Sequence, residues 1–185
     1  MQAFIILAPG FEEIEAISVI DVLRRAEIEV VTVSIPKEDD DEFWVVGAHG
    51  ISAFSDIDFE YADFSKGDIL ILPGGQPGTK NLNAHEGLKE LITEYYNNNK
   101  CIAAICAAPL ILGEMGLLKG KRATCYPGYE AQLIEAEIVD EPVVVDGNII
   151  TANGVGAALE FALTIVENFK GTEVAQDLAK KMMIY

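Results

Sequence analysis

The chain has 185 residues, 13 Lys and Arg against 30 Asp and Glu, and a formal charge of −17; half of it is hydrophobic. That length and apolar content suit one domain, residues 1–185, with a sizeable core, and argue against disorder. A field of this sign repels phosphate backbones and anionic membrane surfaces, so nucleic acid and membranes are set aside as partners.

Gln2–Ala8 is a short apolar run and predicts a buried strand. It lacks a basic leader and is followed at once by Glu12, Glu13 and Glu15, which predicts no signal peptide. From Glu12 to Ala26, Ile14, Ile17, Ile20 and Leu23 recur every third residue and predict one apolar helix face. The acidic first turn suits the positive end of the helix dipole, and Arg24 and Arg25 suit the negative end. Ile28–Ile35 reads as a second strand, completing a βαβ unit.

Lys37–Glu42 reads as a solvated charged loop. Trp44–Val46 and Ile51–Phe54 flank Gly47-Ala48-His49-Gly50 as a small hairpin. Asp68–Leu72 is a buried strand ending in Pro73-Gly74-Gly75, and Glu86–Asn98 is an amphipathic helix. Cys101–Ile105 is a strand, and Ala107–Leu118 a helix that tolerates Pro109 in its first turn. Arg122–Cys125 is a short strand; Val143–Val145 and Asn148–Ala152 form a hairpin about Asp146-Gly147. Ala157–Phe169 and Thr172–Met183 close the chain as helices. Strands alternating with helices predict a doubly wound, mostly parallel α/β sheet with helices on both faces.

In such a sheet the site lies beyond the carboxyl ends of the strands. Three junctions qualify. In Ala104-Ile105-Cys106-Ala107-Ala108-Pro109, a thiol stands where a strand turns into a helix, between small residues that a tight elbow requires. A helix start there would lower the thiol pKa and leave the Ala107 N–H free. Pro73-Gly74-Gly75 lets backbone amides face a developing oxyanion. At the third junction, Glu12 and Glu13 read as exposed dipole partners, while one carboxyl of the three Glu can point toward Cys106 and donate a hydrogen bond to its thiolate while protonated.

The three cysteines form no CxxC, so no disulfide framework or zinc ribbon is expected, and cytoplasmic residence is. Cys125 ends another strand and could lie near Cys106. His49 and His85 have no paired ligand spacing, so no metal is expected.

Taken in order, Ala8-Pro9-Gly10-Phe11-Glu12-Glu13-Ile14-Glu15, Asp68–Gly75, Ala103–Pro109 and Glu160-Phe161-Ala162-Leu163 resemble the ThiJ/PfpI superfamily. The closest likeness is to its DJ-1-like branch, that of the Parkinsonism-associated protein deglycase and its bacterial relatives. The resemblance implies a flavodoxin-like fold and a homodimer. It implies that Cys106 is a reactive cysteine on a strained elbow and Glu15 its hydrogen-bonding acid. Gly74, Gly75 and Ala107 match positions whose amides surround the thiolate. The activities it implies are cofactor-independent glyoxalase or deglycase chemistry on small reactive aldehydes or glycated protein, or peroxide sensing and stress chaperoning by the same cysteine. Three departures stand out. Tyr126 occupies a position where the branch often has His; Asn153 stands where an Arg is frequent; Ala107 replaces the His that follows the nucleophile in proteases, so proteolysis is not expected. Arg25 and His49 match basic positions near the cysteine in relatives, His49 reaching over from a dimer partner.

Overall fold

The computed structural model describes residues 1–35 and 43–184, so the charged segment Lys37–Glu42 lies outside the described residues. Its strands are β1 (Gln2–Leu7), β2 (Glu29–Ser34), β3 (Trp44–Val46), β4 (Ser52–Phe54), β5 (Ile57–Asp58), β6 (Ile69–Leu72), β7 (Cys101–Ile105), β8 (Arg122–Ala123), β9 (Glu137–Ile138), β10 (Val143–Asp146) and β11 (Ile149–Ala152). Its α-helices are α1 (Glu13–Arg25), α2 (Gly78–Ala84), α3 (Glu86–Asn97), α4 (Pro109–Glu114), α5 (Ala158–Lys170) and α6 (Thr172–Lys181). Among the described residues no helix is long and apolar enough to cross a membrane.

Seven strands form one sheet in the order β10-β11-β7-β6-β1-β2-β5, parallel except for the β10–β11 hairpin. This is the expected doubly wound, flavodoxin-like arrangement. The two-residue period of a strand sends alternate side chains to opposite faces. Ala3, Ile5 and Leu7 of β1 therefore join one core with α1, α5 and α6, while Phe4, Ile6 and Ala8 join another with α3 and α4. Both faces being covered explains why the strands read as continuous apolar runs.

The buried side of α1 differs from the expected one. Ile20 and Leu23 are buried, but Ile14 and Ile17 are 54% and 46% exposed. At about 100° per residue, a three-residue repeat slips steadily around the helix, and Ile14 and Leu23 end about 180° apart. The face turned to the core carries Glu15, Ala16, Val19 and Val22 instead. Glu12 and Glu13 are buried rather than exposed. The helix after β7 is also shorter than expected. Ala107 and Ala108 form a turn, α4 begins at Pro109, and the chain bends away at Gly116, whose φ is 74°. The short helix α2 had no clear sequence signal, since Gly78 and two Asn weaken its pattern.

Candidate functional site

The chain runs outward from β1 to β2, then returns to place β6 on the other side of β1. The carboxyl ends of four neighbouring strands, β11, β7, β6 and β1, thus deliver their loops to one rim. The loops carry Asn153-Gly154, Cys106, Gly74-Gly75 and Glu12–Glu15 respectively.

Cys106 sits at the elbow with φ of 64°, a left-handed conformation costly for a side chain bearing a Cβ. Two neighbours hold it there. The Cys106 N–H donates to the Ala152 carbonyl at 2.8 Å, and its own carbonyl accepts the Tyr126 N–H at 2.8 Å. The thiol is half-buried, whereas Cys101 and Cys125 are buried; all three are free. Cys125 is next to Tyr126 in the chain but packs into the α3–α4 core, while Cys106 packs against the α1–α5 core.

Glu15 is fully buried and faces that thiol. Its Oε2 accepts the Gly74 N–H at 2.9 Å, and Oε1 is buried with no regular hydrogen-bond partner. Burial pushes the Glu15 carboxyl up to about 7, with the charge of Glu12 adding to it; the hydrogen bonds from Gly74 and Cys106 oppose the rise. Burial pushes the Cys106 thiol up to about 12, reinforced by the charge and hydrogen bonding of Glu15. The amides of Gly75 and Ala107 face the sulfur and pull the other way. The expected lowering of the thiol pKa is thus reversed. The cause is that the sulfur is partly withdrawn from water and shares its space with a carboxyl, and that α4 starts three residues further on at Pro109. Burial pushes both groups toward their neutral forms, with Glu15 placed to exchange a proton with the sulfur.

Gly75 and Ala107 take the expected place beside the sulfur, but the Gly74 amide is committed to Glu15 instead. Tyr126 is half exposed, with its ring over Gly154. Gly154 has φ of 152°, and a Cβ there would lie 3.3 Å from the Tyr126 ring and 4.0 Å from Cys106 Sγ. Nothing but its position after a strand would have singled Gly154 out in sequence. Asn153 is held at the same rim by its N–H donating to the Pro142 carbonyl at 3.0 Å.

Within one chain, Arg25 and His49 make contacts other than with the thiol. Arg25 closes the last turn of α1, ten residues or about 15 Å along the helix from Glu15, and pairs with Asp21 at 2.7 Å. His49 is folded onto its own chain. Its Nδ1 lies 2.8 Å from Glu13 Oε2 and 3.6 Å from Glu12 Oε2, and its N–H donates to Glu13 Oε1 at 2.7 Å. Burial works to raise the Glu13 pKa, but hydrogen bonds from the His49 ring and the His49 and Ile51 amides bring it below the usual range.

Residues 1–168 match the DJ-1/PfpI family. The chain is 36% identical to the protein dj-1beta of Drosophila melanogaster over 185 residues, covering 99% of this chain and 97% of the relative. It is 36% identical over 184 residues to DJ-1 homolog B of Arabidopsis thaliana, but spans only 41% of that longer protein against 99% of its own length. A deglycase of Pyrococcus abyssi is 32% identical over 154 residues, 82% of this chain and 89% of that protein. Among solved structures, the Drosophila DJ-1beta crystal structure superposes with a TM-score of 0.92 at 36% identity, covering 100% of this chain and 98% of that one. Oxidized Toxoplasma gondii DJ-1 superposes with a TM-score of 0.92 at 32% identity, covering 98% and 97%.

Proposed function

The chain belongs to the DJ-1/PfpI family, and on that premise we propose that it is a cysteine-dependent enzyme acting on reactive carbonyls, of glyoxalase or deglycase type. The observation that carries this reading is the buried Glu15 carboxyl facing the Cys106 thiol. The similarity to a protein named a deglycase supports it.

With a 2-oxoaldehyde, Cys106 sulfur adds to the aldehyde carbon while Glu15 takes the thiol proton and passes it to the former carbonyl oxygen, which becomes a hydroxyl. The Gly75 and Ala107 amides stabilise the developing oxyanion. Glu15 then moves the proton from the former aldehyde carbon to the neighbouring carbon while the hydroxyl proton passes to the neighbouring oxygen, leaving a 2-hydroxyacyl thioester. Water cleaves that thioester, releasing a 2-hydroxy acid and regenerating the thiol. The net change is addition of one water, with no external oxidant or reductant. A hemiaminal formed by the same aldehyde on an amine enters by displacement: the C–S bond forms, the C–N bond breaks, and the amine leaves with the thiol proton, giving the same hemithioacetal.

The test is methylglyoxal consumption with lactate detection. Cys106→Ser falls to the buffer rate, and Glu15→Gln loses about 10²- to 10⁴-fold, the range of a general acid–base contribution. Wild-type turnover no faster than a free-thiol control would overturn the reading.

A second reading, peroxide sensing or stress chaperoning by the same thiol, draws on the half-exposure of Cys106 alone among the three cysteines and on the oxidized Toxoplasma structure. Mild peroxide followed by intact-mass and peptide analysis separates the two. Selective oxygen addition at Cys106 without carbonyl turnover favours sensing.

The exposed Ile17 of α1 and Phe54 of the β3–β4 hairpin line one groove, and the Trp44 ring packs edge-on against Phe54. We propose this apolar face as the surface of a homodimer, since contiguous exposed apolar patches mark association sites.

A further inference from the structure

Glu12, Glu13 and His49 converge where the loop after β1 opens α1, with one ligand atom from each lying within 4.8 Å of the others. We propose that these three side chains form a binding site for a divalent transition-metal ion of the zinc type.

Two buried carboxylates facing one imidazole make a donor set suited to borderline ions rather than to calcium or magnesium, which favour all-oxygen shells. Zinc bonds of about 2.0–2.2 Å set tetrahedral ligand atoms about 3.3 Å apart. The His49–Glu12 separation of 3.6 Å is near that value, and the 2.8 Å separation from Glu13 reaches it by a small turn of the ring. His49 has freedom for that turn, its side chain being 67% exposed.

Glu12 supplies an independent observation. It is 9% exposed and is the N-cap of α1, yet its carboxylate makes no capping hydrogen bond. A carboxylate at this position ordinarily accepts a first-turn N–H. Among the described residues it accepts no hydrogen bond at all, and its ion-pair partner His49 stands off at 3.6 Å. The Glu12 side chain is 11% exposed, and its carboxylate, used neither as a cap nor as a hydrogen-bond acceptor, is left open to an ion between it and His49.

Glu13 is built to present one oxygen. Its Oε1 is held by the N–H groups of His49 and Ile51, at 2.7 and 3.3 Å, which leaves Oε2 directed at the imidazole. Such backbone support fixes ligand orientation in metal sites. The loop bearing His49 is itself pinned. The Ala48 N–H donates to the Phe11 carbonyl at 2.8 Å, and a Cβ at Gly47 would lie 2.4 Å from the Glu13 carboxylate. The outward position over the exposed His49 ring is left for water. This site uses neither Cys106 nor Glu15 and stands apart from the carbonyl chemistry proposed above.

The test is calorimetric titration of the chelator-stripped full chain with Zn²⁺, paired with Co²⁺ absorption spectroscopy. One ion binds per chain, Co²⁺ gives visible bands without a thiolate charge-transfer band, and Cys106→Ser binds unchanged. His49→Ala and Glu12→Gln each weaken binding by about tenfold or more. His49 is exposed, so His49→Ala keeps the test sound should Glu12→Gln perturb folding. Absence of binding, binding unchanged in His49→Ala, or binding lost in Cys106→Ser each overturns the assignment.

Discussion

The Gly74 N–H donates to Glu15 Oε2 at 2.9 Å, tying the turn after β6 to the first turn of α1 directly beneath Cys106. The turn permits this because Gly74 has no side chain. A Cβ there would lie 2.5 Å from Cys106 Cβ, 2.7 Å from Glu15 Oε2 and 2.9 Å from the Ile105 carbonyl oxygen. Gly74 is not among the glycines with positive φ, so the restriction is one of contact and not of backbone strain. Gly74→Ala is therefore expected to cost about 1–3 kcal/mol by overpacking. It should also lower carbonyl turnover by displacing the carboxyl from the thiol. Denaturation midpoints and methylglyoxal kinetics on one preparation check both effects; a fully active, undestabilised variant contradicts them.

Tyr126 lies over Gly154 on the rim that carries Cys106. A phenol donates a proton but is a poor base near neutrality, whereas imidazole serves as either. Tyr126→His is expected to raise kcat toward the lower end of a general-base contribution, about 10²-fold, with a new rise in rate as pH increases through the imidazole range. Tyr126→Phe should leave the pH profile unchanged. Equal profiles for the His and Phe variants would show that this position plays no part in proton transfer.

His85 caps α3, its Nδ1 accepting the Leu88 N–H at 3.0 Å. Burial holds its pKa below the ordinary value, against the opposing charges of Asp58, Glu60 and Glu86. A base with a depressed folded pKa contributes stability that is complete above its unfolded value, about 6.5, and lost as pH falls through the folded value. Protonation of Nδ1 also removes the cap acceptor. His85→Asn is expected to keep the cap and flatten the acid limb of stability below that pH, while His85→Ala loses about 1 kcal/mol at neutral pH. Urea denaturation across pH 5 to 8 provides the measurement.

Ile17 and Phe54 line one groove between α1 and the β3–β4 hairpin. If this face joins two copies, light scattering gives twice the 20.1 kDa chain mass for the wild type and the single value for Ile17→Asp. Ile17 is 46% exposed, so the change leaves the fold of one chain intact. A wild-type monomer, or a variant that stays dimeric, removes this face from consideration.

The sequence by itself determined the architecture and the place of Cys106, while only the family resemblance separated Glu15 from Glu12 and Glu13. Apolar runs of strand length separated by helical segments specify a covered parallel sheet, and the strand-end rule with the small residues around Cys106 locates the elbow. Those signals are local, and each is complete within a dozen residues. Only tertiary structure decided the chemistry around the pair. Whether Glu12 and Glu13 were exposed depended on what the β3–β4 hairpin brought down over α1. Sequence spacing offers no sign that His49, 36 residues beyond Glu13, hydrogen-bonds to it. Arg25, near in sequence to Glu15, is carried to the far end of the helix. The direction of the Cys106 pKa was beyond local reading for the same reason. It is a sum of burial, a neighbouring carboxyl and two amides delivered by three separate strand ends, and burial is the largest of these.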